Sequence, residues 1–89
     1  MAEEQDTLLE FPCSFPIKIM GEDQPELHTL VEQVIQEYAP DTNASAYSQS
    51  ASKTGKFVSI TVTIHATSKQ QIDNIYRACT ASPLTRYVL

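Results

Sequence analysis

Between Phe57 and Ala66 the chain alternates without a break. Val58, Ile60, Val62 and Ile64 fall on one side, and Phe57, Ser59, Thr61, Thr63 and His65 on the other. A helix cannot hold a two-residue period on one face, and β-branched residues suit a pleated surface. The segment is therefore a central strand with one side in a core and a hydroxyl-rich side outside it. The rest of the chain must cover one face of that strand.

Two segments have the pattern to do so. Leu27, Leu30, Val31, Val34, Ile35 and Tyr38 recur at spacings of three and four, which predicts an amphipathic helix ended by Pro40. Pro25 suits its first turn, and Asp23 is expected to cap it, with Glu22 and Glu26 at the positive end of the dipole. Ser68 and Gln71 have the form of a capping box, and Ile72, Ile75, Tyr76 and Cys79 make a second stripe ended by Pro83.

Three further strands complete the set. Phe15, Ile17 and Ile19 alternate with Pro16, Lys18 and Met20 in a strand over 14–20, which Gly21 is expected to end. Pro16 has no N–H and belongs near the strand's start or at a bulge. Residues 44–51 are small and polar apart from Tyr47, an edge strand unattractive to stray partners, and residues 52–56 turn the chain into the central strand. Residues 84–89 form the last strand. The order is βαββαβ, and right-handed crossovers place both helices on one face of a four-stranded antiparallel sheet of order 4-1-3-2.

Length and charge narrow the function. Eighty-nine residues make one domain, and 42% apolar content supports one core. Residues 1–10 read as a flexible acidic arm, with Leu8, Leu9 and Phe11 able to dock at its end, before a single domain over 11–89. The N-terminus lacks a basic and an apolar signal region, and no apolar run reaches membrane-spanning length. A cytoplasmic protein with no membrane association is expected. Cys13 and Cys79 lie far apart with no C-x-x-C, so two reduced thiols are expected rather than a zinc site. The net charge of −5 argues against nucleic acid as a partner.

The run FP-x-x-F-x-IKIMG, then SKTGKFVSITVTIHATS, then Gln71-Ile72, Tyr76 and Val88-Leu89, resembles the bacterial YbeD-like family of small uncharacterised proteins over residues 8–89. The resemblance implies a ferredoxin-like α+β fold, similar to the ACT regulatory domains that bind small ligands and pair up. It brings no activity and no catalytic residues. One departure stands out: the family's loop reads Ser-Lys-Gly, and here Thr54 separates Lys53 from Gly55.

The residues offer little to catalysis. His28, His65 and Cys79 read as two surface histidines and a core thiol, and Cys13 has no base assigned beside it. The loop after the first strand lacks the cysteine pair of ferredoxin-like metal carriers. Its Glu22 and Asp23 would repel the anion that an acylphosphatase-like site must hold. No enzyme, no metal and no cofactor are therefore expected. RNA recognition on this strand order needs stacked aromatics, and Phe57 beside Ser59, Thr61, Thr63 and His65 is a poor platform.

Two candidate sites remain. One is an uncovered sheet face holding Lys18, Met20, Ser59, Thr61, Thr63, His65 and Arg86, suited to a protein partner; an ordinary solvated face has the same residue types. The other is a ligand loop at Gly21, Glu22, Asp23 and Gln24, where glycine permits close approach and the helix offers N–H donors; a turn and a cap account for the same residues. The expected function is a non-enzymatic regulatory or adaptor module, with an ACT-like small-ligand sensor as the alternative and RNA binding third. A homodimer is compatible with the bare edge strand, although its polarity looks shaped to discourage pairing.

Overall fold

A computed structural model describes residues 10–89. Except for Glu10, the acidic arm and the Leu8–Leu9 docking lie outside the described residues. Strand β1 spans Cys13–Glu22, helix α1 Pro25–Tyr38, β2 Tyr47–Ala51, β3 Phe57–Ala66, helix α2 Lys69–Thr80 and β4 Thr85–Val88. The sheet order is β2-β3-β1-β4, antiparallel throughout. This is the expected ferredoxin-like α+β arrangement.

The alternation in β3 sorts as the sequence requires. Val58, Ile60, Val62 and Ile64 are buried with Ile17 and Ile19 of β1. Leu27, Val31, Val34 and Ile35 of α1 and Ile72, Ile75 and Cys79 of α2 close over that one side. Phe11 packs against the edge of this core. The helix ends are tied to each other: Gln71 Nε2 donates to the Tyr38 carbonyl at 2.7 Å. Ser68 Oγ caps α2 by accepting from the Gln71 N–H at 3.1 Å. Gln71 Oε1 reaches back to the Thr67 N–H at 2.7 Å, one residue earlier than a standard capping box.

Pro16 sits inside β1 without breaking it. Lys18 N–H points toward β4, donating to the Leu89 carbonyl at 2.9 Å, so two residues earlier the proline nitrogen faces the same side. There β4 has already ended, and no ladder bond is lost.

Four expectations need correcting. First, Gly21 does not end β1. It is buried within the strand, opposite Val58 and Thr85, at a register shift between Met20 and Gly21. A Cβ there would collide with the Leu84 carbonyl and lie 3.1 Å from Leu27 Cδ2. Second, Asp23 does not cap α1. The N-cap is Gln24, with no side-chain cap bond, while Asp23 donates its N–H to the Lys56 carbonyl at 2.8 Å. Third, Ala44–Ala46 form a 3-10 turn, so the edge strand starts only at Tyr47. Fourth, the final strand is shorter than 84–89, although Leu89 still exchanges backbone bonds with Lys18.

The hairpin accommodates Thr54. Gly55 takes a φ of 76°, where an L side chain is strained, and donates to the Ser52 carbonyl at 3.0 Å. Thr54 Oγ1 accepts from the Lys56 N–H at 3.4 Å and bonds Ser52 Oγ at 3.3 Å. The extra residue is thus held by its own hydroxyl.

Candidate interaction surface on the open sheet face

The register builds the uncovered face row by row. Ser50, Ser59, Met20 and Tyr87 lie across it, followed by Ser48, Thr61, Lys18 and Leu89. Beyond the end of β4 come Thr63 with Pro16 and His65 with Ser14. At the opposite end Glu22 faces Phe57. The shift next to Gly21 makes β4 advance two residues against one of β1 and turns Arg86 to this side. Arg86 Nη2 donates to Glu22 Oε2 at 3.3 Å, and its guanidinium lies 5.6 Å from the Phe57 ring centroid. Lys56 Nζ lies at 5.6 Å as well.

Lys18, Met20, Ser59, Thr61 and Arg86 therefore cluster as expected. Thr63 and His65 share the face but stand toward its far end; four residues of strand put His65 roughly 13 Å from Thr61. The register adds the small residues Ser14, Pro16, Ser48 and Ser50 to the expected set, and three larger ones, Tyr87, Leu89 and Glu22. Tyr87 and Leu89, 64% and 65% exposed, are the exposed large hydrophobic residues among those described. Glu22 was assigned to the ligand loop instead. Since Val88 packs on the core, alternation alone would have turned Tyr87 and Leu89 outward. The charged side chains here are Lys18, Arg86, Glu22 and, over the Phe57 ring, Lys56, a positive excess on a chain of net −5. The Arg86–Glu22 pair is exposed and orients the guanidinium more than it stabilises the fold.

The four residues of the expected ligand loop do not form one site. Gly21 admits a backbone, but that backbone is Leu84's. Glu22 belongs to the open face. Asp23 Oδ1 accepts from His28 Nε2 at 3.1 Å on the exposed flank of α1. Gln24 ends the strand-to-helix link.

The thiols and histidines are dispersed. Cys13 opens β1 opposite Ala66, while His28 lies in the first turn of α1, which begins past the far end of that strand, itself roughly 30 Å long. Both cysteines are free. Burial pushes the Cys79 thiol up to about 11, away from the reactive thiolate. Among the described residues no three His, Cys, Asp or Glu side chains gather as metal ligands. No helix of the described residues is long and apolar enough to cross a membrane.

A groove of about 560 Å³ runs between α1 and the edge strand β2, lined by His28, Val31, Glu32, Thr42, Tyr47 and Gln49 among others. Thr42 Oγ1 is buried beside it without a partner. Burial, then the Glu32 carboxylate, raises the Tyr47 hydroxyl above its ordinary pKa.

Comparison with known proteins places this architecture. Residues 6–89 match a family model described as a protein of unknown function, DUF493. A UPF0250 protein of Chromobacterium violaceum is 44% identical over 89 residues, covering all of both chains. One from Paraburkholderia phytofirmans is 40% identical over the same full span. One from Neisseria gonorrhoeae is 39% identical over 87 residues, 98% of this chain and 96% of its own. The solution structure of protein HP0495 from H. pylori superposes with a TM-score of 0.72 at 13% identity, over 91% of this chain and 85% of that one. At that identity it speaks for the fold alone. The chain belongs to the DUF493 (UPF0250) family of small bacterial proteins of unknown function.

Proposed function

We propose that this protein is a non-enzymatic adaptor or regulatory module of the bacterial cytoplasm, acting by protein–protein contact through the open face of its sheet. The observation that carries the reading is the placement of Tyr87 and Leu89. Both are about two-thirds exposed and flank Met20 and Lys18 on the side away from the helices. Tyr87 and Arg86 on the edge strand β4 and Leu89 just past it, beside Met20 of β1, give one side of the face an aromatic, a methionine and an arginine, residue types enriched at recognition surfaces, next to the hydroxyls of β3. Dispersed thiols and histidines support the non-enzymatic half of the reading. A small-ligand sensor at Gly21–Gln24 has less behind it, since the Leu84 carbonyl fills the space the glycine leaves.

The test is affinity capture from the host cell with the wild-type chain and with Tyr87→Ser/Leu89→Ser. A protein held by the first and lost by the second, with unfolding midpoints alike, supports the proposal. Capture unaffected by the double substitution removes it. A ligand-dependent rise in melting temperature that ignores the face substitutions would favour the sensor instead.

A further inference from the structure

A second surface, separate from the open face, has the geometry of a self-association edge. Strand β2 pairs with β3 on one side, and among the described residues nothing pairs with its other side. Ser52 N–H donates to the Phe57 carbonyl at 2.9 Å, which fixes the phase of the ladder. Ser50 and Ser48 then bond to β3, while the N–H and C=O of Gln49 and Ala51 and the C=O of Tyr47 point outward. The Tyr47 N–H is already taken by the Ala44 carbonyl. The strand is short and polar, but three other protections of an edge are missing: residues 47–51 contain no charge and no proline, and the register with β3 has no bulge.

We infer that β2 pairs antiparallel with β2 of a second copy about a two-fold axis at Gln49, joining two sheets into one of eight strands. Three features fit this occupant. The free groups are self-complementary: each Gln49 exchanges bonds with the second copy's Gln49, and each Ala51 N–H donates to the second copy's Tyr47 carbonyl. The side chains match in size, because the pairing sets Tyr47 against Ala51 twice, Ser48 against Ser50 twice, and Gln49 against itself. The charges match as well. Lys53 and Lys56 follow the Ala51 end of β2 and Asp41 precedes its Tyr47 end along the chain, while Glu32 lies beside Tyr47 itself. Antiparallel pairing lays each basic hairpin against the other copy's acidic end. The two open faces then become continuous, on the side away from the helices.

The experiment is sedimentation of the full chain over a wide concentration range, with half-filtered nuclear Overhauser spectra at the highest concentration. A monomer–dimer equilibrium that weakens with salt is expected, with an intermolecular Hα–Hα contact between Ser48 and Ser50. Gln49→Pro removes an outward N–H at a position where edge strands tolerate proline, and it should abolish the dimer. Lys53→Glu/Lys56→Glu, exposed and outside the core, should raise the dissociation constant about tenfold or more with circular dichroism unchanged. A monomer at all concentrations overturns the inference, as does a dimer indifferent to both variants. Because the open-face test uses other residues, either reading can fail without the other.

Discussion

Replacing Gly21 with alanine separates two accounts of the same residue. A turn glycine accepts alanine with little consequence wherever φ is negative, and Gly21 lies outside the positive-φ region. In this fold the added methyl meets the Leu84 carbonyl and, at 3.1 Å, Leu27 Cδ2. The leucine methyl can rotate away, whereas the carbonyl is backbone and moves only if the start of β4 moves. Overpacking of this kind costs about 1–3 kcal/mol. The reduced entropy of the unfolded chain returns about 0.4–1 kcal/mol. The difference spans about 0–2.6 kcal/mol and centres on a loss of about 1.3 kcal/mol, read as a urea midpoint lower by roughly 1 M at a slope near 1 kcal/mol/M. The damage should be local, so the amides of Lys18 and Leu89, which bind β4 to β1, should exchange faster than those joining β1 to β3. An alanine variant as stable as the parent, or one with β4 exchange unchanged, would refute the reasoning.

Three other changes have definite directions. Thr85 Oγ1 is buried without a partner, so the isosteric Thr85→Val should raise stability by about 1 kcal/mol in the same denaturation assay. Gln71→Ala removes the bonds to the Thr67 N–H and the Tyr38 carbonyl; a loss of about 1–2 kcal/mol is expected, together with faster exchange at both helix ends. Cys79 keeps its proton in the fold up to about 11, against an ordinary value of 9.0. The unfolded chain sheds it first, so this contribution is whole below pH 9.0 and is lost as pH climbs toward 11. The fall should be on the order of 2 kcal/mol, and Cys79→Ala should remove that part of the slope. The part that remains belongs to other groups, including Tyr47 and Tyr76, whose pKa values are also raised by burial.

What the sequence disclosed follows from how far each signal reaches along the chain. Alternation is local, and it placed Lys18, Met20, Ser59 and Thr61 on one face before any pairing was known; the register then set Lys18 beside Thr61 and Met20 beside Ser59. The helix stripes are local too. Gly21 was misjudged because a glycine after a strand has the same neighbours in sequence whether it turns or makes room. The group it makes room for, Leu84, belongs to the far end of the chain. Asp23 failed as a cap for a related reason: its backbone is engaged by Lys56 of the hairpin and its carboxylate by His28. Arg86 was expected on the open face and is there, but it is turned to that side by a register shift that no pattern within 84–89 encodes. Its approach to Phe57 and Glu22 could not be anticipated.

The claim beneath these readings is that the protein works through the side of the sheet its helices leave uncovered. Site-specific photo-cross-linking in the living host tests it most directly, with the photoreactive residue at Thr61 on the open face and, separately, at Gln33 on the exposed side of α1. A discrete adduct with another protein from position 61 and none from position 33 is the expected result. Adducts from position 33 alone, or none from either, would contradict the account.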